Sequence, residues 1–342
     1  MRIQIFLGTG GVGKTSVAAA MALKSALEGR RCLVLTIDPA LRLRTALHLT
    51  PGIPEQKVSL EGIPGRGDLW AGLLDVRATL DRSVRLHGKP DQVETVLKHP
   101  IYQMLITSLA GMQELMAVER IDQVMRDGFE NLFIDTAPSR HAFEFLDKPE
   151  LFAQMVSIPI VQLVGRTYKW FERSNLSSIG RKALELYRRV EDILGATLVR
   201  QVLDFYSVFR TIAEDYGERA VRTTELFRNP DVTTFTIVTT PFKARRDGEY
   251  FQAELAKRRF TIGRIVVNRV WPEIPARVQT GSAPLARDLL AWYRSVSMAH
   301  SLIWGDMARG FSNKVPKLTR LYELPKDIDG LAALYQMALN LR

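Results

Sequence analysis

Eight residues near the start of the chain, Gly8-Thr9-Gly10-Gly11-Val12-Gly13-Lys14-Thr15, constrain its fold more than any other segment. They match the spacing G-x-x-x-x-G-K-[ST] and lie between a short apolar run, Arg2–Leu7, and a stretch over 15–28 rich in Ala, Met and Leu. Glycines let the backbone curl so that successive N–H groups point inward at a polyphosphate. A helix starting at Lys14 adds the positive end of its dipole. In this pattern Gly10, Gly11, Val12 and Gly13 form the cradle. Lys14 reaches the β- and γ-phosphates, the Thr15 hydroxyl ligates Mg²⁺, and Ser16 stands beside the α-phosphate. The alternative is a glycine turn that ends in Lys-Thr by chance. The strand before it and the helix after it argue against that.

The rest of the chain continues the pattern. Gly29 ends the first helix, and Arg31–Ile37 reads as a strand that stops at Asp38-Pro39. This β-loop-α-β unit predicts the start of a parallel sheet. Pro51–Asp68 reads as loop, Leu69–Val76 as a third strand and Thr79–Phe129 as helical. Asn131–Asp135 is a short buried strand, and helical pattern returns over Ala142–Arg228. Thr233–Thr239 and Ile262–Val267 read as strands with a helix, Arg245–Arg259, between them. Strand Lys317–Tyr322 and helix Ile328–Leu341 follow. The expectation is an α/β fold: a mostly parallel sheet flanked by helices, forming one domain over 1–342. A helical subdomain is inserted at about 79–129 and 142–228, since no Pro/Gly/Ser linker divides the strands into sets.

Composition excludes several classes. Of 342 residues, 46% are hydrophobic and 25% charged, which suits a globular chain rather than a disordered or fibrous one. Cys32 is the single cysteine, so no internal disulfide and no CxxC metal or redox pair can form. It lies in Cys32-Leu33-Val34-Leu35 and reads as a small buried hydrophobe. The net charge of +10 is spread, with no block of five like charges, which argues against a nucleic-acid footprint. Leu151–Gly165, the most apolar later stretch, is interrupted by Gln154, Ser157, Pro159 and Gln162 and falls short of a membrane span. With no signal peptide visible, the expected compartment is the cytoplasm.

Two carboxylates end strands. In a parallel sheet the carboxyl ends of neighbouring strands gather on the edge that holds the glycine loop. Asp38 and Asp135 can there support Mg²⁺ or orient an attacking water. Asp38 can equally cap a helix that begins with Pro39. Asp135-Thr136-Ala137-Pro138 has no clear helix start until Phe143, which weakens the capping reading there.

Gly8–Thr15, Asp38-Pro39-Ala40 and Asp135-Thr136-Ala137-Pro138-Ser139-Arg140-His141 together resemble the deviant phosphate loop and two switch regions of the arsenical pump-driving ATPases. The targeting factor for tail-anchored membrane proteins belongs to the same family. Val267-Asn268-Arg269, the late Leu324-Pro325 segment and the order of strands extend the resemblance over nearly the whole chain. It implies an ATP- and Mg²⁺-dependent ATPase in which Lys14 and Thr15 hold phosphates and metal. Asp38 would position the hydrolytic water, Asp135 would support the metal, and Asn268 would hydrogen-bond adenine. Without the resemblance, Asn268 is a residue of a strand-ending turn. A dimer that switches with nucleotide state and a helical block that contacts an apolar or membrane-protein client are also implied.

The departures are specific. The family's second loop lysine is Thr9 here, and the first switch continues Leu41-Arg42-Leu43-Arg44. Either arginine could stabilise phosphoryl-transfer charge or simply form a solvated basic face. The usual glycine of the second switch is Arg140. A heterodimer with a lysine-bearing sister ATPase is therefore an alternative to a homodimer. One cysteine leaves neither the zinc site nor the arsenite site of family members. Ile101, Leu105, Leu109, Met112 and Met116 fall on one helical face, as do Leu186, Val190, Ile193 and Leu194, with Val202, Phe205, Tyr206 and Phe209 beyond them. Packing between helices or a client groove would both use such faces. Trp170-Phe171 and Trp292-Tyr293 read as core aromatics. Three functions compete: an ATPase that switches a dimer, a non-hydrolysing regulatory subunit, and a partitioning-type ATPase acting on DNA or a membrane surface.

Overall fold

The computed structural model describes residues 1–38, 42–108, 112–138, 143, 146–147, 201, 205, 215–279, 283–311, 313, 315–325 and 327–341. Eight strands form one sheet: β1 (Arg2–Leu7), β2 (Arg31–Thr36), β3 (Glu55–Lys57), β4 (Asp68–Leu73), β5 (Asn131–Asp135), β6 (Thr233–Thr239), β7 (Ile262–Val270) and β8 (Leu318–Tyr322). Their order is β3-β4-β2-β5-β1-β6-β7-β8. Every pairing is parallel except β3 with β4. This is the expected α/β sheet. β1 lies between β5 and β6, so Ile3, Ile5, Phe6 and Leu7 are buried, as all of Asn131–Asp135 is.

Helix α1 (Lys14–Leu27) packs its Ala-rich body into the core. Ala18, Ala19, Ala20, Ala22 and Ala26 are all fully buried. Small side chains let α2 (Arg42–Leu47) and a C-terminal helix, Leu331–Asn340, approach closely, and Leu43, Leu47, Leu334 and Met337 join the same cluster.

The chain divides into two compact units, the first comprising 1–74, 124–143 and 225–342, the second 75–123 and 144–224. In the second, the helical stretch expected over 79–129 is four helices: α3 (Val76–His87), α4 (Val93–Lys98), α5 (Pro100–Ser108) and α6 (Met112–Arg126). α6 runs on into the first unit. α3 starts one turn earlier than the periodicity predicts because the Asp75 carboxylate caps it, accepting from Ala78 N at 2.9 Å. That cap also explains why β4 ends at Leu73 rather than Val76. Residues 215–228 are helical too. Arg219 donates to Glu119 at 3.0 Å and to Ser83 at 3.2 Å, all three buried, and the Tyr216 hydroxyl donates to the Leu115 carbonyl at 2.6 Å. Ile101, Met112 and Met116 are buried. The side chain of Leu105 and residues Leu109, Trp170, Phe171, Leu186, Val190, Ile193, Leu194, Val202, Tyr206 and Phe209 lie outside the described residues.

In the first unit, α7 (Ala244–Lys257) follows β6, α8 (Pro284–Phe311) follows β7, and α9 is the helix Leu331–Asn340. β3 and α8 have no counterpart in the sequence reading. β3 is three residues of edge strand inside a glycine- and proline-rich segment. In α8 apolar residues occupy two faces, so no single stripe marks it: Met307 and Phe311 are buried while Leu285, Leu289, Trp292, Met298 and Leu302 are exposed. Trp292 is thus not core. It meets Trp271 edge-on at 5.2 Å, and Tyr293 stacks on Trp271 at 4.9 Å. Among the described residues no helix is long and apolar enough to cross a membrane.

Candidate nucleotide site

The site is built at the carboxyl edge of the sheet, in the first unit. Gly8 leaves β1 so close to the Val238 carbonyl of β6 that a Cβ there would collide with it. Gly11 (φ +79°) and Gly13 (φ +88°) take left-handed backbone that only glycine adopts without strain. The turn delivers Lys14 and Thr15, both buried, as the first residues of α1. The Lys14 ammonium folds back and donates to the Thr9 carbonyl at 3.3 Å.

Strand register brings the carboxylates in. Thr36 and Asp135 are paired residues on β2 and β5, and Phe6 of β1 pairs with Asp135 from the other side. The Thr36 hydroxyl donates to Asp135 Oδ2 at 3.0 Å, and the Thr15 hydroxyl donates to the same oxygen at 2.6 Å. Asp135 Oδ1 is buried and accepts no hydrogen bond among the described residues. Burial pushes the Asp135 carboxyl up to about 6, against the Thr15 hydroxyl and the Lys14 ammonium, which favour its charged form. Burial also holds Lys14 below its ordinary value, and the charges of Asp135 and Asp38 oppose that. Asp38, two residues past β2, is half-buried and acts electrostatically on both. Lys14, Thr15, Asp38 and Asp135 therefore form one group. Pro39, Ala40, Leu41, Ser139, Arg140 and His141 lie outside the described residues.

Asn268 arrives from β7. The register of β7 against β8 shifts between Val267 and Val270, and Arg269 sits at φ +59°. That bulge accompanies an Asn268 side chain placed on the glycine loop, where Nδ2 donates to the Val12 carbonyl at 2.9 Å. The buried amide therefore braces the loop. Beside it opens a cleft of about 700 Å³, lined by Gly13, Ser16, Arg42, Asn268, Tyr322 and Asp327 among others.

One contributor escaped sequence reasoning. Asp247, buried in the first turn of α7, accepts from the Thr9 hydroxyl at 3.0 Å and the Thr239 hydroxyl at 2.9 Å through the same oxygen. It belongs to no motif. Its only sequence signal is an acidic residue shortly after a strand that borders the loop strand.

The donor set suits Mg²⁺. A hydroxyl and a carboxylate oxygen with no other partner are hard ligands, and Mg²⁺ is commonly held by one or two carboxylates together with substrate phosphates. Among the described residues no cluster of three or more His, Cys, Asp or Glu could hold a metal by itself. Cys32 is buried on β2, and burial pushes its thiol up to about 11, so it is protonated at neutral pH.

A family model described as anion-transporting ATPase matches residues 1–283. The chain belongs to that family. ATPase GET3C of Arabidopsis thaliana is 24% identical over 284 residues, covering 78% of this chain and 66% of that protein. ATPase GET3B of the same plant is 28% identical over 289 residues, covering 78% and 63%. The arsenical pump-driving ATPase of Escherichia coli is 28% identical over 155 residues, covering 44% and 26%. The chain spans about two thirds or less of the length of these three relatives. This member of the anion-transporting ATPase family has a glycine loop flanked by two strand-end carboxylates, Asp38 and Asp135. It carries Thr9, tied to Asp247, where the resemblance leads one to expect a lysine.

Proposed function

We propose that this chain is a cytoplasmic, Mg²⁺-dependent ATPase that converts ATP and water to ADP and phosphate. In this reading the whole chain is one nucleotide-binding domain, and the helical second unit is its insertion. The observation that carries the proposal is Asp135. A carboxylate buried this deeply, with one oxygen held by Thr15 and Thr36 and the other without a partner, is costly unless a cation completes it.

The N–H groups of Gly10–Gly13 and the start of α1 cradle the phosphates, and Lys14 leaves the Thr9 carbonyl for the β- and γ-phosphates. Thr15 and Asp135 hold Mg²⁺, which offsets phosphate charge when bound. Asp38, half-buried and electrostatically coupled to Lys14, orients the attacking water. Asn268 keeps its brace on Val12 while its carbonyl oxygen remains an acceptor for the adenine amine. Hydrolysis switches a dimer and moves the helical unit, which contacts an apolar or membrane-protein client.

Thr9 favours a second reading, a regulatory subunit that binds ATP beside a lysine-bearing sister ATPase. Steady-state hydrolysis by the purified chain, with Lys14→Ala and Asp38→Ala, separates the two when combined with its mass in solution with and without Mg²⁺·ATP. Turnover lost in both variants, with nucleotide-dependent dimerisation, supports the first reading. Binding without turnover supports the second. No binding at millimolar ATP overturns both.

A further inference from the structure

We propose that Arg42 is a phosphate-binding cation of this site, supplying from the same chain the second positive charge that Thr9 does not carry. The inference rests on the ATP reading above. It starts from the direction of α2. At about 100° per residue, positions 42, 45 and 46 share one face of a helix, while position 44 lies about 200° from position 42. The cleft is lined by Arg42, Thr45 and Ala46, together with Gly13 and Ser16 at the start of α1. Arg44 is half-buried, turned away from this face, with its Nε buried. Of the two arginines in the first switch, only Arg42 faces the nucleotide cleft.

Its electrostatic setting fits the role. Arg42 is exposed and has no ion-pair partner among the described residues. Its charge repels that of Lys14 and lowers the Lys14 pKa alongside burial. An exposed guanidinium on the cleft wall beside Gly13 and Ser16, within electrostatic reach of Lys14, is stabilised by an anion bound there, and a triphosphate is such an anion. Arg269, also on the cleft, lies 3.8 Å from the Glu323 carboxylate and is partly neutralised. Thr9 is committed to Asp247. Ser16, the residue expected beside the α-phosphate, and Gly13 line the same cleft as Arg42. The planar guanidinium offers two parallel N–H donors to phosphate oxygens, which an ammonium does not.

The test is equilibrium binding of a fluorescent ATP analogue with Mg²⁺ to the full chain and to Arg42→Ala, Arg42→Lys, Arg44→Ala and Lys14→Ala. Denaturation midpoints check that each variant folds. Arg42→Ala is expected to weaken binding by about tenfold to a hundredfold, as for other charge-assisted contacts. Arg42→Lys should fall between, and Arg44→Ala should stay within about twofold of the native chain. The dependence of affinity on salt should be shallower in Arg42→Ala, because one charge contact is gone. Native affinity in Arg42→Ala alongside lost binding in Lys14→Ala overturns the role of Arg42 and leaves the ATP reading intact. Equal losses in Arg42→Ala and Arg44→Ala overturn it as well, because a diffuse basic field would then be responsible. A native chain that binds no nucleotide overturns both proposals.

Discussion

The Thr15 hydroxyl donates to Asp135 Oδ2 at 2.6 Å across 120 residues of sequence, joining the first turn of α1 to the end of β5. The contact fixes one carboxylate oxygen and leaves the other buried without a partner. Both the stability and the chemistry of the site depend on that asymmetry.

Asp135 makes the folded chain sensitive to pH. Burial raises its carboxyl from an ordinary 3.8 to about 6. A group whose pKa is raised by folding contributes stability that is complete below the unfolded value and lost as pH rises through the folded one. Between pH 4 and 7 that loss is about 2 kcal/mol. Asp135→Asn cannot ionise, so without nucleotide it should be more stable than the native chain at pH 8, with the advantage gone near pH 4. Its Mg²⁺-dependent nucleotide binding should be lost. Chemical denaturation at the two pH values measures the first effect, and earlier unfolding of the variant at pH 8 would contradict it.

Asp247 should matter to the loop although it belongs to no motif. Asp247→Ala leaves the Thr9 and Thr239 hydroxyls without their acceptor, at a cost of about 1–3 kcal/mol. Thr9→Val removes one of these bonds. The two substitutions share an interaction, so a double-mutant cycle should show coupling of about 1 kcal/mol. Strictly additive denaturation energies would mean that the contact does not hold the loop.

Gly13 and Asn268 form a close pair that can be taken apart. A Cβ on Gly13 would collide with Asn268 Nδ2, and the φ of +88° is unfavourable for any side chain. Gly13→Ala should therefore lose both stability and nucleotide binding. Adding Asn268→Ala removes the collision but not the backbone cost of about 1–2 kcal/mol. The double variant should recover only part of the stability, read from thermal unfolding. Full recovery would show that crowding alone required the glycine.

The buried Arg219–Glu119 pair gives a prediction for the helical unit. Glu119→Gln leaves a guanidinium uncompensated in the interior, which costs about 3–5 kcal/mol. Replacing both residues by Leu should restore most of that. Urea denaturation of the single and double variants decides, and a single-variant loss below about 1 kcal/mol would show that water reaches the pair.

Local signals made much of this molecule legible in the sequence. The apolar runs of β1, β2, β5 and β6, the glycine spacing ahead of α1 and the strand-end positions of Asp38 and Asp135 all depend on residues close together in the chain. Alternation of polarity, backbone permissiveness and the position of a charge after a strand act over a few residues. The parallel sheet and the group Lys14, Thr15, Asp38 and Asp135 follow from such patterns. Other features arise only when distant segments meet. Asp247 reaches Thr9 across 238 positions, and Asn268 reaches Val12 across 256. The choice of Arg42 over Arg44 depends on which face of a six-residue helix turns to the cleft. α8 hid because its apolar residues are divided between core and solvent, and β3 exists only because β4 offers it an edge. Hydrogen bonding and burial are properties of packed surfaces. The sequence determined which chemistry the loop can hold, and the tertiary structure decided which other side chains surround it.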